Sequence, residues 1–338
     1  MLRTQTSVSC PRVSPVRSAL SRSLLVAMLV AAPFAAALSI HTQPAAAAEN
    51  LDVGADVVAK IAESLPTEAP GKPAKPRHLL IFSRTQGFRH GSIPTGGKAI
   101  TMLGEKTRAF TAVHIEDPSF FDANKLSQFD AVFMLNTTGE CLADNPADTS
   151  DTAKAVTEQR KKNLLEFVAS GKGLVGCHSA TDTMYSSKEY GDLVGGWFKN
   201  HPWHTDVTIK IDAPEHPLTA MFDARQGFQI KDEIYQFAQR GTGDTFAGYQ
   251  PYSRERLRVL MSLDNDRFDV SAGERPDKDY AISWIHEQGK GRVFYTVLGH
   301  NDFIFWHPMV LKHYLAGIQY ALGDLPADAT PSGPLAQK

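Results

Sequence analysis

From residue 78 onward the chain alternates short apolar runs with stretches of helical spacing, and that alternation leaves few possible folds. HLLIF (His78–Phe82) reads as a strand. A loop follows, then a helix with Pro94 in its first turn. Residues 110–115 and 130–135 read as the second and third strands, the third apolar enough to be buried on both faces. Residues 155–170 have helical spacing, with Gly171 as a stop, and GLVGC (Gly173–Cys177) is the fourth strand. Strands joined through helices imply right-handed crossovers and a mostly parallel sheet. The second half is richer in strands, at 207–211, 229–237, 258–263, 281–285 and 292–298, and ends in a helix over Pro308–Leu322. Together these make one α/β core of about 250 residues, with no linker to split it.

What precedes this core is different in kind. Residues 1–48 hold Arg3, Arg12, Arg17 and Arg22 and no acid, then an apolar run over 24–38 interrupted by Pro33, then the alanines Ala45 to Ala48. A positive start, an apolar middle and small residues before Glu49 have the form of a secretory signal. The run is short for a bilayer span of roughly 20 residues. We therefore expect export to a periplasm or beyond, and no membrane partner once the leader is removed. Without it, 31 basic residues face 37 acidic ones and the formal charge moves from −2 to −6. A mildly acidic chain with no basic cluster does not suit a nucleic-acid partner. Residues 49–76 read as a short helix (52–65) and a proline-rich extended linker, and 326–338 as a disordered tail.

In an open parallel sheet, ligands bind beyond the carboxyl ends of the strands. Four such loops carry polar groups. The first holds Arg89 and His90, the third strand leads to Asn136 and Thr137, and the fourth to Cys177, His178 and Asp182. The strand over 292–298 ends at His300. His201 and His204 follow, two helical turns after the fourth loop. Asp232 and Glu233 sit side by side inside an apolar strand, where adjacent acids are unusual. Singly, a loop histidine is most often solvated or capping. His286, His307 and His313 read as surface or helix residues, and His204 and His216 as helping the fold. The set His90, His178, Asp232 and His300 is different because its members converge, and Glu233 stands beside Asp232 as a further catalytic candidate. His90, His178 and Asp232 could hold a divalent cation such as Zn²⁺ or Mn²⁺, or the same groups could serve as general acid and base. No tight ligand spacing such as H-E-x-x-H decides between them.

GLVGCHSA also has the strand–turn–helix form of a nucleophile elbow, which makes a thiol hydrolase or amidase using Cys177 and His178 a rival reading. Against it, Cys177 could be a small apolar strand-end residue, or could be bridged to Cys141, since both follow strands that could be neighbours and export permits a disulfide. A sugar-binding protein without turnover is the second rival.

FRHGSI, LNTTGE, GKGLVGCHSATDT, Tyr190 with GGWFKNHP, EHP, DEIYQF and GKGRVFYTVLGHND, in this order, resemble the ThuA-like (trehalose-utilisation) family over about 77–323. The resemblance implies a flavodoxin-like sheet similar to class I glutamine amidotransferases, with helices on both faces and extra strands in the C-terminal half. It implies a small carbohydrate partner: a disaccharide, a glycoside or a 3-keto derivative. By position it implies roles for His90, His178, His201, Asp232, Glu233 and His300. Arg89, Asn136, Thr137, Asp182, Tyr190, His201 and Trp284 are expected to line the substrate, with Trp197 or Trp284 stacking on a sugar face. Three residues depart from the family pattern: Cys177 where an aliphatic residue is usual, Cys141, and Tyr280 where a histidine is common.

Overall fold

The computed structural model describes residues 51–237 and 249–335. The secretory-signal expectation for 1–48 lies outside the described residues. Among them, no helix is long and apolar enough to cross a membrane.

Among the described residues, nine strands form one sheet: β1 (His78–Phe82), β2 (Thr111–Ile115), β3 (Ala131–Leu135), β4 (Gly173–Cys177), β5 (Asn200–Ile211), β6 (Phe228–Gln236), β7 (Arg258–Leu263), β8 (Ala281–Gln288) and β9 (Gly291–Thr296). Their spatial order is β2-β1-β3-β4-β9-β8-β7-β5-β6. The first five are joined in parallel. The remaining pairings are antiparallel. The order β2-β1-β3-β4-β9 is that of a flavodoxin-like sheet, with β9 as the fifth strand. The extra strands extend it from the β9 side.

The helices are α1 (Ala55–Ser64), α2 (Ile93–Thr107), α3 (Ala123–Leu126), α4 (Asp151–Ala169), α5 (Lys188–Val194) and α6 (Pro308–Leu322). Every residue of β3 and β4 is buried, as expected of central parallel strands covered on both faces. α4 begins four residues before its apolar pattern does, because the Ser150 hydroxyl caps the Ala153 amide and starts the helix on polar residues.

Three segments differ from the sequence expectation. β5 begins at Asn200 rather than 207, so His201 and His204 lie on a strand. Its pairing with β6 shifts register between Asn200 and Trp203, which buries Trp203 and leaves His201 and His204 exposed. The proline-rich linker is docked. The Gly71 amide donates to Gln319 Oε1, and Arg77 pairs with Asp324 just past α6. Residues 326–335, expected as a loose tail, run along the body. Asp328 O meets His216 Nε2 at 3.1 Å, the Ser332 amide donates to Leu257 O, and the Gly333 amide donates to Arg254 O. Ala327 and Ala329 pack on the core beside these bonds, and that contact offsets the entropy of ordering the segment.

Candidate functional site

The cluster forms at the carboxyl ends of the parallel strands. His90 leaves the β1 loop just before α2, His178 follows β4, and His300 follows β9. A fourth group, Glu233, arrives from β6 at the far edge of the sheet. Its carboxylate nonetheless lies 3.3 Å from His178 Nε2, so the antiparallel half curls back over the strand ends. One ligand-capable atom from each of His90, His178, Glu233 and His300 falls within 4.8 Å of the other three. The rings of His90, His178 and His300 are mutually edge-on, with centroids 4.8 to 5.3 Å apart.

Each side chain is held by an identifiable device. His178 has φ 47°, so the tight turn after β4 falls on the histidine and lifts its ring into the cluster. Its Nδ1 lies 2.7 Å from Val297 O, an acceptor only, so Nδ1 carries the proton. In the neutral ring the Nε2 lone pair then faces inward. His178 Nε2 and His300 Nδ1 lie 3.3 and 3.1 Å from the same Glu233 oxygen. Both nitrogens are buried, and neither is aligned for a hydrogen bond. His90 Nδ1 lies 3.4 Å from Ser179 Oγ, at the long end of that range.

The two neighbouring acids divide their work, because successive strand residues face opposite ways. Glu233 enters the cluster, and its second oxygen lies 3.4 Å from His201 Nδ1. Asp232 is fully buried and turned into the loop after β9. It accepts from the amides of Gly299 at 2.7 Å, His300 at 3.4 Å and Asn301 at 3.0 Å, and from Asn301 Nδ2 at 2.9 Å. Asp232 therefore sits outside the group that could share a cation, and Glu233 stands in the place expected for it. The same loop needs Gly299, whose φ is 155°. A Cβ there would meet Cys177 Sγ at 2.6 Å.

The electrostatics follow from burial and contact. Burial, together with the neighbouring His178 and His300, pushes the His90 ring down to about 2, so it stays neutral. Burial works to raise the Glu233 carboxyl, but His178 and His300 outweigh it and hold it well below the usual carboxylate range. The Glu233 carboxylate raises the His300 ring above its ordinary value. Burial raises the Asp232 carboxyl, against the amides that favour its anion.

The other expected lining residues scatter. Arg89 is paired with Glu116 at 2.9 Å. Asn136, buried with φ 48°, braces the site from beneath, donating to Ser92 Oγ and Gly299 O. Thr137 is buried against Thr183. Asp182 accepts from the Tyr185 hydroxyl, and burial raises its carboxyl. Tyr190 is in the core, its hydroxyl on Ala180 O. Trp284 is also core, stacked on Tyr295 with its indole N–H on Val194 O, and Trp197 is fully buried, so neither presents a face to a sugar. Tyr280 packs edge-on against Trp203. His286, expected at the surface or on a helix, is instead buried on β8 with a ring nitrogen on Leu193 O, while His313 lies on α6 as expected and is buried there with a ring nitrogen on Leu218 O. His204 lies against the His300 ring at 4.7 Å, on the rim of the cluster.

Cys141 and Cys177 are free rather than bridged to each other. Cys177 Sγ points below the cluster, 3.1 Å from Asn136 Oδ1 and 3.0 Å from the Tyr314 hydroxyl. Burial pushes its thiol up to about 12, the reverse of what a nucleophile needs. The elbow is present, but His178 occupies it.

One neighbour went unnoticed in the sequence. Tyr235 lies over His178 at 4.2 Å, on the same strand face as Glu233. The two-residue period from Glu233 would have pointed to it.

Comparison with known proteins agrees with this architecture. A ThuA-like protein from Bacteroides uniformis is 21% identical, with 75% of this chain and 94% of that chain covered and a TM-score of 0.51, a likeness of fold. A ThuA-like protein from Parabacteroides merdae is 14% identical, with 74% and 92% covered and a TM-score of 0.47. Comparison with curated proteins gave no match. The family model for ThuA, trehalose utilisation, matches residues 78–321, from the first residue of β1 almost to the end of α6. The chain belongs to the ThuA family, associated with trehalose utilisation and carbohydrate metabolism.

Proposed function

We propose that this ThuA-family chain is an exported enzyme acting on a disaccharide or glycoside, or on its 3-keto derivative. In this reading His90, His178, Glu233 and His300 hold a divalent cation, Zn²⁺ or Mn²⁺. The supporting observation is His178, whose Nδ1 proton is committed to Val297 O while its buried Nε2 faces the Glu233 carboxylate without a hydrogen bond. Ligating histidines characteristically donate their other ring N–H to a carbonyl or carboxylate in this way. Three imidazoles and one carboxylate suit zinc or manganese. A cation there would polarise a sugar carbonyl or hydroxyl oxygen. The chain's own groups do the rest. His90 stays neutral, Asp232 holds the His300 loop, and His201 and His204 offer rim contacts to sugar hydroxyls.

A second reading uses the same residues without metal. The pair Glu233–His300, at 3.1 Å and with its imidazole raised, would hold the proton moved in acid/base catalysis on carbon next to a carbonyl.

Elemental mass spectrometry on the purified protein separates the two. Near one Zn or Mn per chain, lost in His90→Ala and His178→Ala, is the expected result. No metal after reloading would remove the first reading and leave the second. Unchanged turnover of 3-keto glycosides in both variants would remove both. Export is tested by N-terminal sequencing of the secreted chain, expected to start near Glu49.

A further inference from the structure

Phe88 is 65% exposed, and the other exposed large hydrophobics among the described residues are Val113 and Val156. Its position is not that of a stray surface residue. The ring stands edge-on to His90, with centroids 4.8 Å apart and planes at 81°. The backbone beneath it is tied to the loop that leaves β3. The Gln86 amide donates to Thr138 O at 2.9 Å, and the Gly87 amide donates to Thr138 Oγ1 at 3.0 Å. The same hydroxyl donates to Phe88 O at 3.0 Å, and Thr138 is itself buried. Gly139, at φ 65°, lets the two segments approach, since a Cβ there would meet the Gln86 backbone at 3.2 Å. The fold therefore holds an apolar ring at a fixed place, facing water at the edge of a histidine cluster.

From Phe88 the ring contacts continue through the cluster. They run from His90 to His178, then to Tyr235 at 4.2 Å, Phe198 at 4.4 Å and His201, whose ring is stacked on Phe198 at 18°. Aromatic side chains thus bracket the polar groups on both sides. A pyranose ring has the matching chemistry, with a C–H face that packs on an aromatic ring and hydroxyls that bond to imidazole and carboxylate.

We infer that Phe88 is the platform on which the apolar face of a substrate pyranose stacks, a specificity-determining residue for the sugar beside His90. The inference rests on the carbohydrate reading proposed above and takes the role the sequence had suggested for Trp197 or Trp284.

The test is calorimetric titration of the metal-loaded protein with trehalose and with its 3-keto derivative, alongside KM for whichever is turned over. Phe88→Ala should weaken binding and raise KM roughly tenfold. Phe88→Trp should restore both, and metal content should match wild type in each variant. Wild-type affinity in Phe88→Ala would overturn this inference alone, as would a variant altered only in oligomeric state. A wild-type protein that binds neither sugar would overturn the carbohydrate reading, and this inference with it.

Discussion

The two halves of the sheet build the candidate site in different ways. The parallel half supplies three histidines from loops that leave β1, β4 and β9 at one edge, a placement that follows from strand direction alone. The antiparallel half supplies Glu233 from the middle of β6, a regular strand, and it reaches the cluster because the sheet curls. Loops can be altered with little effect on a core. The strand that carries Glu233 is tied in more firmly, since its neighbour Asp232 is bonded to the loop that carries His300. The parallel half thus provides the chemistry, and the antiparallel half closes it and holds it in register.

Glu233→Gln and His178→Ala test that division most severely. Both should lose bound metal and reduce turnover by about a hundredfold or more, exceeding the effect typical of an outer partner. Their unfolding midpoints should stay near wild type. A large loss of stability in Glu233→Gln would mean that the residue is a structural tie. Asp232→Ala should do the opposite. It strands the buried Gly299 amide and the part-buried amides of His300 and Asn301, and equilibrium denaturation should show a loss on the order of 3 kcal/mol. A variant as stable as wild type would sink the idea that Asp232 ties the halves together.

A smaller effect separates core histidines from site histidines. Burial pushes the His313 ring down to about 4. Above about pH 6.5 both folded and unfolded forms are neutral there, and nothing is lost. Between 6.5 and 4 the unfolded chain alone takes the proton, so stability should fall by up to about 1.4 kcal/mol per pH unit from this group. Below 4 both forms carry it and the loss stops growing. His313→Gln should flatten that part of the curve in urea denaturation across pH 4–7, and an unchanged slope would refute the assignment. Smallest of all is Cys177→Ser, expected to leave turnover within about threefold, since the buried thiol faces Asn136 and Tyr314 beneath the site. Abolished turnover would revive thiol chemistry. A chain starting at Glu49 should titrate two thiols when denatured without reductant.

Much of this was legible in sequence. The strands from 78 to 177, the order of polar loops and the family resemblance all lie in local patterns, because apolar periodicity and chain direction are local properties. The individual contacts were harder to read. Arg89 and Tyr190 sit in motifs as prominent as His90 does, and Trp284 was expected to line the substrate, yet their side chains turn to Glu116, Ala180 and Val194. Motif membership does not say which way a side chain points. His286 looked peripheral because burial is set by what packs on a residue, which distant chain decides.

The sequence by itself determined that parallel strands deliver His90, His178 and His300 to one edge, since each histidine follows a strand of known direction. It also determined that two adjacent acids lie in a strand of the second half. Only the tertiary structure decided which acid joins the histidines. The curl of the sheet sets which face of β6 meets the strand ends, and with a two-residue period that choice sends Glu233 to the site and Asp232 beneath it.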